Sequence, residues 1–258
     1  MHVSVVIPAR FASTRFPGKP LAKIFGKPMI QWVYERSACS AIVDRVMVAT
    51  DDLRIADVVS NFGGDVVLTS PDHRTGTDRL AEVACNHPEM ELIVNVQGDE
   101  PLIDPLMIEA AVRPLLEDQT IMMGTLKTPL TSFEEFLNPN VVKVITDQQG
   151  FALYFSRAAI PYAREFNDQL ADRWNELATA KHIGLYAYRR EFLLKYPQMT
   201  PTPLEQLECL EQLRAMEHGV RIYVAETSLS GHGVDTPEDL EKVEKLLSSS
   251  QNSDGSGK

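Results

Sequence analysis

The chain has little cysteine, no long apolar run and no excess of positive charge. Cys39, Cys85 and Cys209 are the only cysteines in 258 residues and stand far apart, which excludes a disulfide framework and a Cys-rich zinc site. The six histidines are scattered at positions 2, 73, 87, 182, 218 and 232, so the sequence contains no His-rich metal centre. No stretch approaches the roughly 18 apolar residues of a membrane span, and the opening MHVSVVIPAR turns polar too early for a secretion signal. Lys and Arg number 25 against 36 Asp and Glu, a formal net charge of −11. That balance argues against a nucleic-acid coat or a membrane-surface protein. A cytoplasmic protein with no nucleic-acid partner and no membrane insertion is expected. Familiar catalytic signatures are missing too. There is no G-x-S-x-G elbow, no G-x-G-x-x-G fingerprint and no Walker A loop, because Gly18-Lys19 runs into Pro20 without the upstream glycine.

What is present is globular. The hydrophobic fraction is 44% and the charged fraction 24%, with 14 Gly and 16 Pro, values of an ordinary soluble fold. Apolar β-branched runs at 3–7, 46–49, 66–68 and 92–96 alternate with helical spacing at 29–38, 53–62 and 78–85. Strands apolar on both faces and separated by helices predict an α/β fold with a mostly parallel sheet flanked by helices. Further strand patterns at 122–127, 141–146, 151–155 and 183–188, joined by short turns such as 147–150, predict an antiparallel extension. Thr202-Pro203-Leu204-Glu205 reads as a capped helix start, with Gly219 closing that helix. A strand at 221–225 and a helix from Thr236 to about Leu247 follow. A single domain over 1–247 is expected, with a disordered Ser/Gly-rich tail at 248–258.

In parallel α/β sheets ligands bind beyond the carboxyl ends of the strands, so the loops after Ile7, Ala49 and Val96 are the places to look. The first carries Arg10, Arg15 and Lys19 among small or hydroxyl residues. Such a loop suits a polyphosphate, the plainer alternative being a solvated basic loop. Gln97-Gly98-Asp99-Glu100-Pro101 puts a carboxylate at a strand exit, where a hard cation such as Mg²⁺ can be held. Asp235 is a similar carboxylate; Asp99 is equally readable as a turn or helix cap, and Asp235 by itself is more often a turn residue. Arg74 and Arg79 flank Thr75-Gly76-Thr77, which offers hydroxyl and N–H groups to a nucleobase, or in which Thr77 caps the next helix. His182 heads an apolar strand, a setting that is more often structural. Glu205, Glu208, Glu211 and Gln212, three or four apart, read by default as a solvated acidic face. From residue chemistry alone this is a Mg²⁺-dependent transfer involving a nucleotide.

The segments VVIPARFASTRFPGKPL, VATDD, HRTGTDRLAE, VNVQGDEPLI, NPNVVKV, ALYFSRAAIPY, KHIGLYAYR, TPLEQLECLEQLR and GVDTPEDLEKV occur in order over residues 3–245. Together they resemble the 3-deoxy-manno-octulosonate (Kdo) cytidylyltransferases. The resemblance implies a nucleotidyltransferase fold, usually homodimeric, making CMP-Kdo and pyrophosphate from CTP and Kdo for lipopolysaccharide assembly in Gram-negative bacteria. By matching position it implies that Arg10, Arg15 and Lys19 hold the CTP phosphates. Ala9, Arg74, Thr75 and Gly76 then hold the cytidine, and Asp99 and Asp235 bind Mg²⁺. Gln97, Arg157, His182, Glu211 and Gln212 fall around the sugar acid, with Arg157 the natural partner of its carboxylate. Lys19, Arg15, Asp99 and Asp235 are the expected catalytic set. Tyr162, His218, His232 and Asp78 depart from the family pattern, which keeps an 8-amino form of the sugar as an alternative. More distant alternatives are another sugar nucleotidyltransferase and a non-catalytic nucleotide-binding regulator.

Overall fold

The computed structural model describes residues 1–12, 16–73, 75–231 and 233–254, with side chains described as far as residue 248. In chain order the elements begin β1 (Val3–Ala9), β2 (Lys23–Ile24), β3 (Lys27–Pro28), α1 (Met29–Ala38), β4 (Arg45–Thr50), α2 (Leu53–Asn61), β5 (Val66–Leu68), α3 (Gly76–Asn86) and β6 (Leu92–Asn95). They continue with α4 (Pro105–Glu117), β7 (Met123–Thr128), α5 (Phe133–Leu137), β8 (Lys143–Thr146), β9 (Ala152–Ser156), α6 (Leu170–Arg173) and β10 (Ala180–Arg189). The last are α7 (Arg190–Leu193), α8 (Pro203–Glu208), α9 (Gln212–Glu217), β11 (Ile222–Glu226) and α10 (Pro237–Asp254). Two compact units result, one of residues 1–109 with 231–258, the other of residues 110–230.

The first unit is a parallel sheet in the order β6-β1-β4-β5. Its inner strands are buried along nearly their whole length, as continuous Val/Ile runs require when helices cover both faces. β5 departs from that expectation: it is the edge strand and leaves Leu68 55% exposed. Helix starts are set by local chemistry. Asp52 caps α2 by accepting from the Arg54 N–H at 2.9 Å. α3 begins at Gly76, not Asp78, because Thr75 and Asp78 form a reciprocal capping box. Thr75, rather than Thr77, is therefore the cap. α10 packs Val243 and Leu247 into a buried cluster with Ile24, Met29 and Val234. It runs on to Asp254, past the Leu247 at which its pattern weakens.

The second unit contains the antiparallel extension. β7 pairs in parallel with β11 and antiparallel with β10, whose register slips between Ile183 and Tyr186. β10 pairs with β8, and β8 with β9, across the turn at Asp147. There the Asp147 carboxylate accepts from the Gln149 and Phe151 N–H groups, and Gly150 takes φ 87°. A Cβ on Gly124 would sit 2.8 Å from the Ala111 carbonyl oxygen, so α4 lies directly against β7.

The helix expected from Thr202 to Gly219 is two helices. Cys209 breaks it with φ 51°, and the Glu208 and Cys209 carbonyls turn to the Arg157 guanidinium instead of continuing the helical ladder.

Candidate functional site

β1 delivers Ala9 and Arg10 to the mouth of the parallel sheet. The Arg10 Nη2 donates to the carbonyls of His73 at 2.6 Å and Thr75 at 3.1 Å, tying the first loop to the start of α3. Gly18 closes that loop by donating to the Phe11 carbonyl, with φ 70°. The Phe11 ring lies against Gly18 and beneath the Arg54 guanidinium, 3.3 Å from its centre. Lys19 then enters a 3₁₀ turn, and its ammonium bridges Asp99 Oδ2 at 2.5 Å and Asp235 Oδ1 at 3.2 Å. Asp235 reaches this point because the Val234 N–H donates to the Asp99 carbonyl at 2.9 Å. A cleft of about 470 Å³ is lined by Ala9, Arg10, Lys19, Gly76, Gln97, Asp99 and Asp235. Seven sequence-predicted residues thus share one cavity. Gly98 is needed there, since a Cβ would stand 3.0 Å from the Pro8 carbonyl oxygen. Gln97 is steadied by Asn95 at 3.2 Å.

The Thr75 hydroxyl accepts from the Asp78 N–H in the helix cap and keeps its own hydrogen to donate, and Asp78 serves the same cap. Arg15, Arg74 and His232 lie outside the described residues.

Three or more His, Cys, Asp or Glu side chains do not converge on one point among the described residues. Asp99 and Asp235 do face a shared point, and it is already taken by a cation, the Lys19 ammonium. Two carboxylates suit Mg²⁺, which keeps waters and substrate phosphates for its remaining positions. Glu100, beside them, is a residue that sequence reasoning passed over. Burial, reinforced by the Asp99 charge, pushes its carboxyl up to about 7. A Cβ on Gly231 would come within 3.0 Å of its Oε2.

The second unit groups Arg157, His182, Glu211 and Gln212. Arg157 follows β9, and its Nε donates to the Glu208 carbonyl at 2.7 Å and its Nη1 to the Pro139 carbonyl at 3.0 Å. The His182 ring sits edge-on to Phe155, 4.8 Å between centres, and beside Tyr186 at 5.5 Å. Its Nε2 is 3.0 Å from the Thr125 hydroxyl, whose own hydrogen is directed to the Ile183 and Leu185 carbonyls. Nε2 is therefore the protonated nitrogen of a neutral ring, and burial pulls its pKa down to about 3. Tyr186 is raised by burial first and by the Glu211 charge second, so His182, Tyr186 and Glu211 share one neighbourhood. Gln212 is 4% exposed, and its amide nitrogen has no hydrogen-bond partner among the described residues.

The acidic face expected on this segment is not solvated. Glu205 is buried against Arg214 at 2.5 and 2.8 Å. Glu208 accepts from the Ser156 hydroxyl at 2.6 Å and the Arg157 N–H at 2.9 Å. Inward partners on neighbouring elements drew these carboxylates in, and a helical spacing does not reveal such partners. Of the departures from the family pattern, Tyr162 is 75% exposed, and His218 is exposed with its ring nitrogen on the Thr200 carbonyl.

The geometry can be set beside known proteins. The cytidylyltransferase family model matches residues 4–222. The 3-deoxy-manno-octulosonate cytidylyltransferase of Syntrophotalea carbinolica is 62% identical over 248 residues, covering 96% of this chain and 99% of that protein. The protein of the same name from Aliivibrio fischeri is 52% identical over 255 residues, covering 96% and 100%. The solved structure of CMP:2-keto-3-deoxy-manno-octonic acid synthetase complexed with CTP superposes with a TM-score of 0.90 at 43% identity, covering 97% of this chain and all of that one. The chain belongs to the 3-deoxy-manno-octulosonate cytidylyltransferase family.

Proposed function

We propose that this enzyme transfers the cytidylyl group of CTP to 3-deoxy-manno-octulosonate, releasing pyrophosphate. One observation carries the chemistry: Lys19, Asp99 and Asp235 meet within 3.2 Å in a cleft that also contains Arg10, Gly76 and Gln97. Kinship carries the sugar, since relatives up to 62% identical bear its name. The anomeric hydroxyl attacks the α-phosphorus, the new O–P bond forms as the bond to pyrophosphate breaks, and the hydroxyl proton passes to solvent. Asp99 and Asp235 would hold Mg²⁺, which when bound neutralises triphosphate charge and lowers the hydroxyl pKa.

Lys19 and Arg15 stabilise charge moving toward the leaving group. Arg10 combines phosphate contact with its grip on the His73–Thr75 backbone. Ala9, Arg74, Thr75 and Gly76 form the cytidine side. For Thr75 this contact comes from the hydroxyl hydrogen, because the hydroxyl only accepts in the cap while the Thr75 N–H and carbonyl are bonded to Asp78 and Arg10. Gln97, Arg157, His182, Glu211 and Gln212 hold the sugar acid. Arg157 takes its carboxylate, His182 acts as a neutral polar neighbour, and the unpartnered Gln212 amide is a ready donor. The enzyme works as a homodimer in the cytoplasm, toward lipopolysaccharide. No helix among the described residues is long and apolar enough to cross a membrane.

The test is pyrophosphate release from CTP with Kdo and with its 8-amino analogue, with and without Mg²⁺. Mg²⁺-dependent release with kcat/KM at least about tenfold higher for Kdo, or roughly 1.4 kcal/mol of discrimination, supports the assignment. The opposite preference replaces the sugar, and release without Mg²⁺ removes the metal.

A further inference from the structure

The segment NPNVVKV is assigned to no function above, yet its lysine is fully buried. Lys143 lies on β8, and its ammonium donates to three carbonyls: Asn138 at 2.9 Å, Val141 at 2.7 Å and Arg157 at 2.8 Å. An ammonium has three N–H bonds, so each one is used and none is left for a ligand. We infer that Lys143 is a positioning residue that fixes Arg157, and with it the loop that supports His182, for the sugar acid. The inference rests on the reading of Arg157 as the carboxylate partner.

The connections are direct. One of the three carbonyls belongs to Arg157 itself. The other two belong to the loop 138–142, whose Pro139 carbonyl accepts from Arg157 Nη1 at 3.0 Å and whose Val142 carbonyl accepts from the His182 N–H at 2.9 Å. One buried cation thus holds both the backbone from which Arg157 springs and the loop on which its guanidinium rests. Glu208 completes the frame. Its carboxylate accepts from the Arg157 N–H and the Ser156 hydroxyl, and its carbonyl accepts from Arg157 Nε. The guanidinium spends Nε and one N–H of Nη1 at 3.0 Å or less, and one N–H of Nη2 more loosely at 3.5 Å. Among bonds to the described residues, each terminal nitrogen keeps one N–H with which to reach a carboxylate. A neutral aliphatic side chain at 143 would take the charged donor from the Val141 and Arg157 carbonyls, leave the Asn138 carbonyl only the Val141 N–H, and release the loop. The guanidinium would then lose its aim without losing its charge.

The two units predict separable effects, because the nucleotide cleft draws its residues from the other one. K143M, R157A and the double variant are purified, and KM for Kdo and for CTP are measured separately. K143M is expected to raise the Kdo KM about 10- to 100-fold, the range of a misplaced binding group, with the CTP KM unchanged within about twofold. Added to R157A, K143M should change the Kdo KM by less than about twofold, since the group it positions is already gone. An unchanged Kdo KM in K143M, a parallel rise in the CTP KM, or full additivity in the double variant overturns the inference. R157A with a normal Kdo KM instead removes the reading of Arg157 on which it stands. If K143M does not fold, K143Q repeats the test: its amide supplies two donors for the three carbonyls, and the same KM split is expected.

Discussion

His182 gives the sharpest physical prediction. Its ring is enclosed by Phe155 and Tyr186, and burial holds its pKa near 3, against an ordinary 6.5. The neutral ring is the favoured form in the folded protein, so no stability difference arises above pH 6.5, where both states are neutral. As pH falls from 6.5 toward 3, the unfolded chain takes up a proton that the folded chain refuses, and stability is lost across that window. At pH 5 the linkage amounts to about 2 kcal/mol, and this figure is insensitive to the folded pKa as long as it lies below about 4. His182→Phe keeps an aromatic ring against Phe155 and Tyr186. It also leaves the Thr125 hydroxyl satisfied by the Ile183 and Leu185 carbonyls. Urea unfolding of both proteins at pH 8 and pH 5 isolates the group, because every other titration is common to the pair. The wild type should lose about 2 kcal/mol more than His182→Phe on going to pH 5, a Tm difference of roughly 4–8 °C for a chain of this size. Equal losses would mean that His182 is protonated in the folded protein, and the assignment of Nε2 as donor of a neutral ring would fall with it.

Asp99→Asn or Asp235→Asn should lower kcat by at least about 10²-fold with the fold intact, the scale on which a lost transition-state charge partner is felt; near-normal turnover in either would remove that residue from the metal site. Lys19→Met should lower kcat by about 10²–10³ while tightening Mn²⁺ binding to the nucleotide-free protein, because it frees two carboxylates from their ammonium. Titration of Mn²⁺ by calorimetry reads this directly, and weaker binding would contradict it. Arg214→Met leaves Glu205 charged and nearly buried, and should cost about 3–5 kcal/mol in denaturant unfolding. Gly124→Ala pushes a methyl to 2.8 Å from the Ala111 carbonyl oxygen and Leu115 Cδ1, and should cost about 1–3 kcal/mol by the same assay.

The parallel half of the fold was legible because its signals are local. Val46–Ala49 is apolar at every position and Val3–Ile7 at all but Ser4, and a strand covered on both faces uses such a run. Met29–Ala38 carries its apolar residues at helical spacing between Pro28 and Cys39, so its bounds could be read outright. Capping was legible in kind but not in place. Thr75 and Thr77 are both plausible caps, and the choice turned on Asp78, a residue at the third position short enough to bond back to the Thr75 N–H. The break at Cys209 had no local signal. Cysteine is not a residue that favours positive φ, and it adopts that conformation because a guanidinium 52 residues away draws the Glu208 and Cys209 carbonyls out of the helix.

The same division runs through the site. Lys19, Asp99 and Asp235 are charged residues at strand exits and loop ends, where solvated chemistry is expected, so sequence position makes them candidates and the family resemblance gives them their roles. Lys143 and Glu208 are equally charged and equally tied into the structure, but a pattern of spacings ranks them as surface. What distinguishes them is satisfaction at long range. A buried ammonium is tolerable only where carbonyls converge on it, and the three that do come from residues 138, 141 and 157. None of these acceptors is a side chain, so no residue type in the sequence marks them. Recognition residues that reach solvent therefore declare themselves by chemistry. The residues that aim them do so through backbone geometry, and only the folded chain makes that visible.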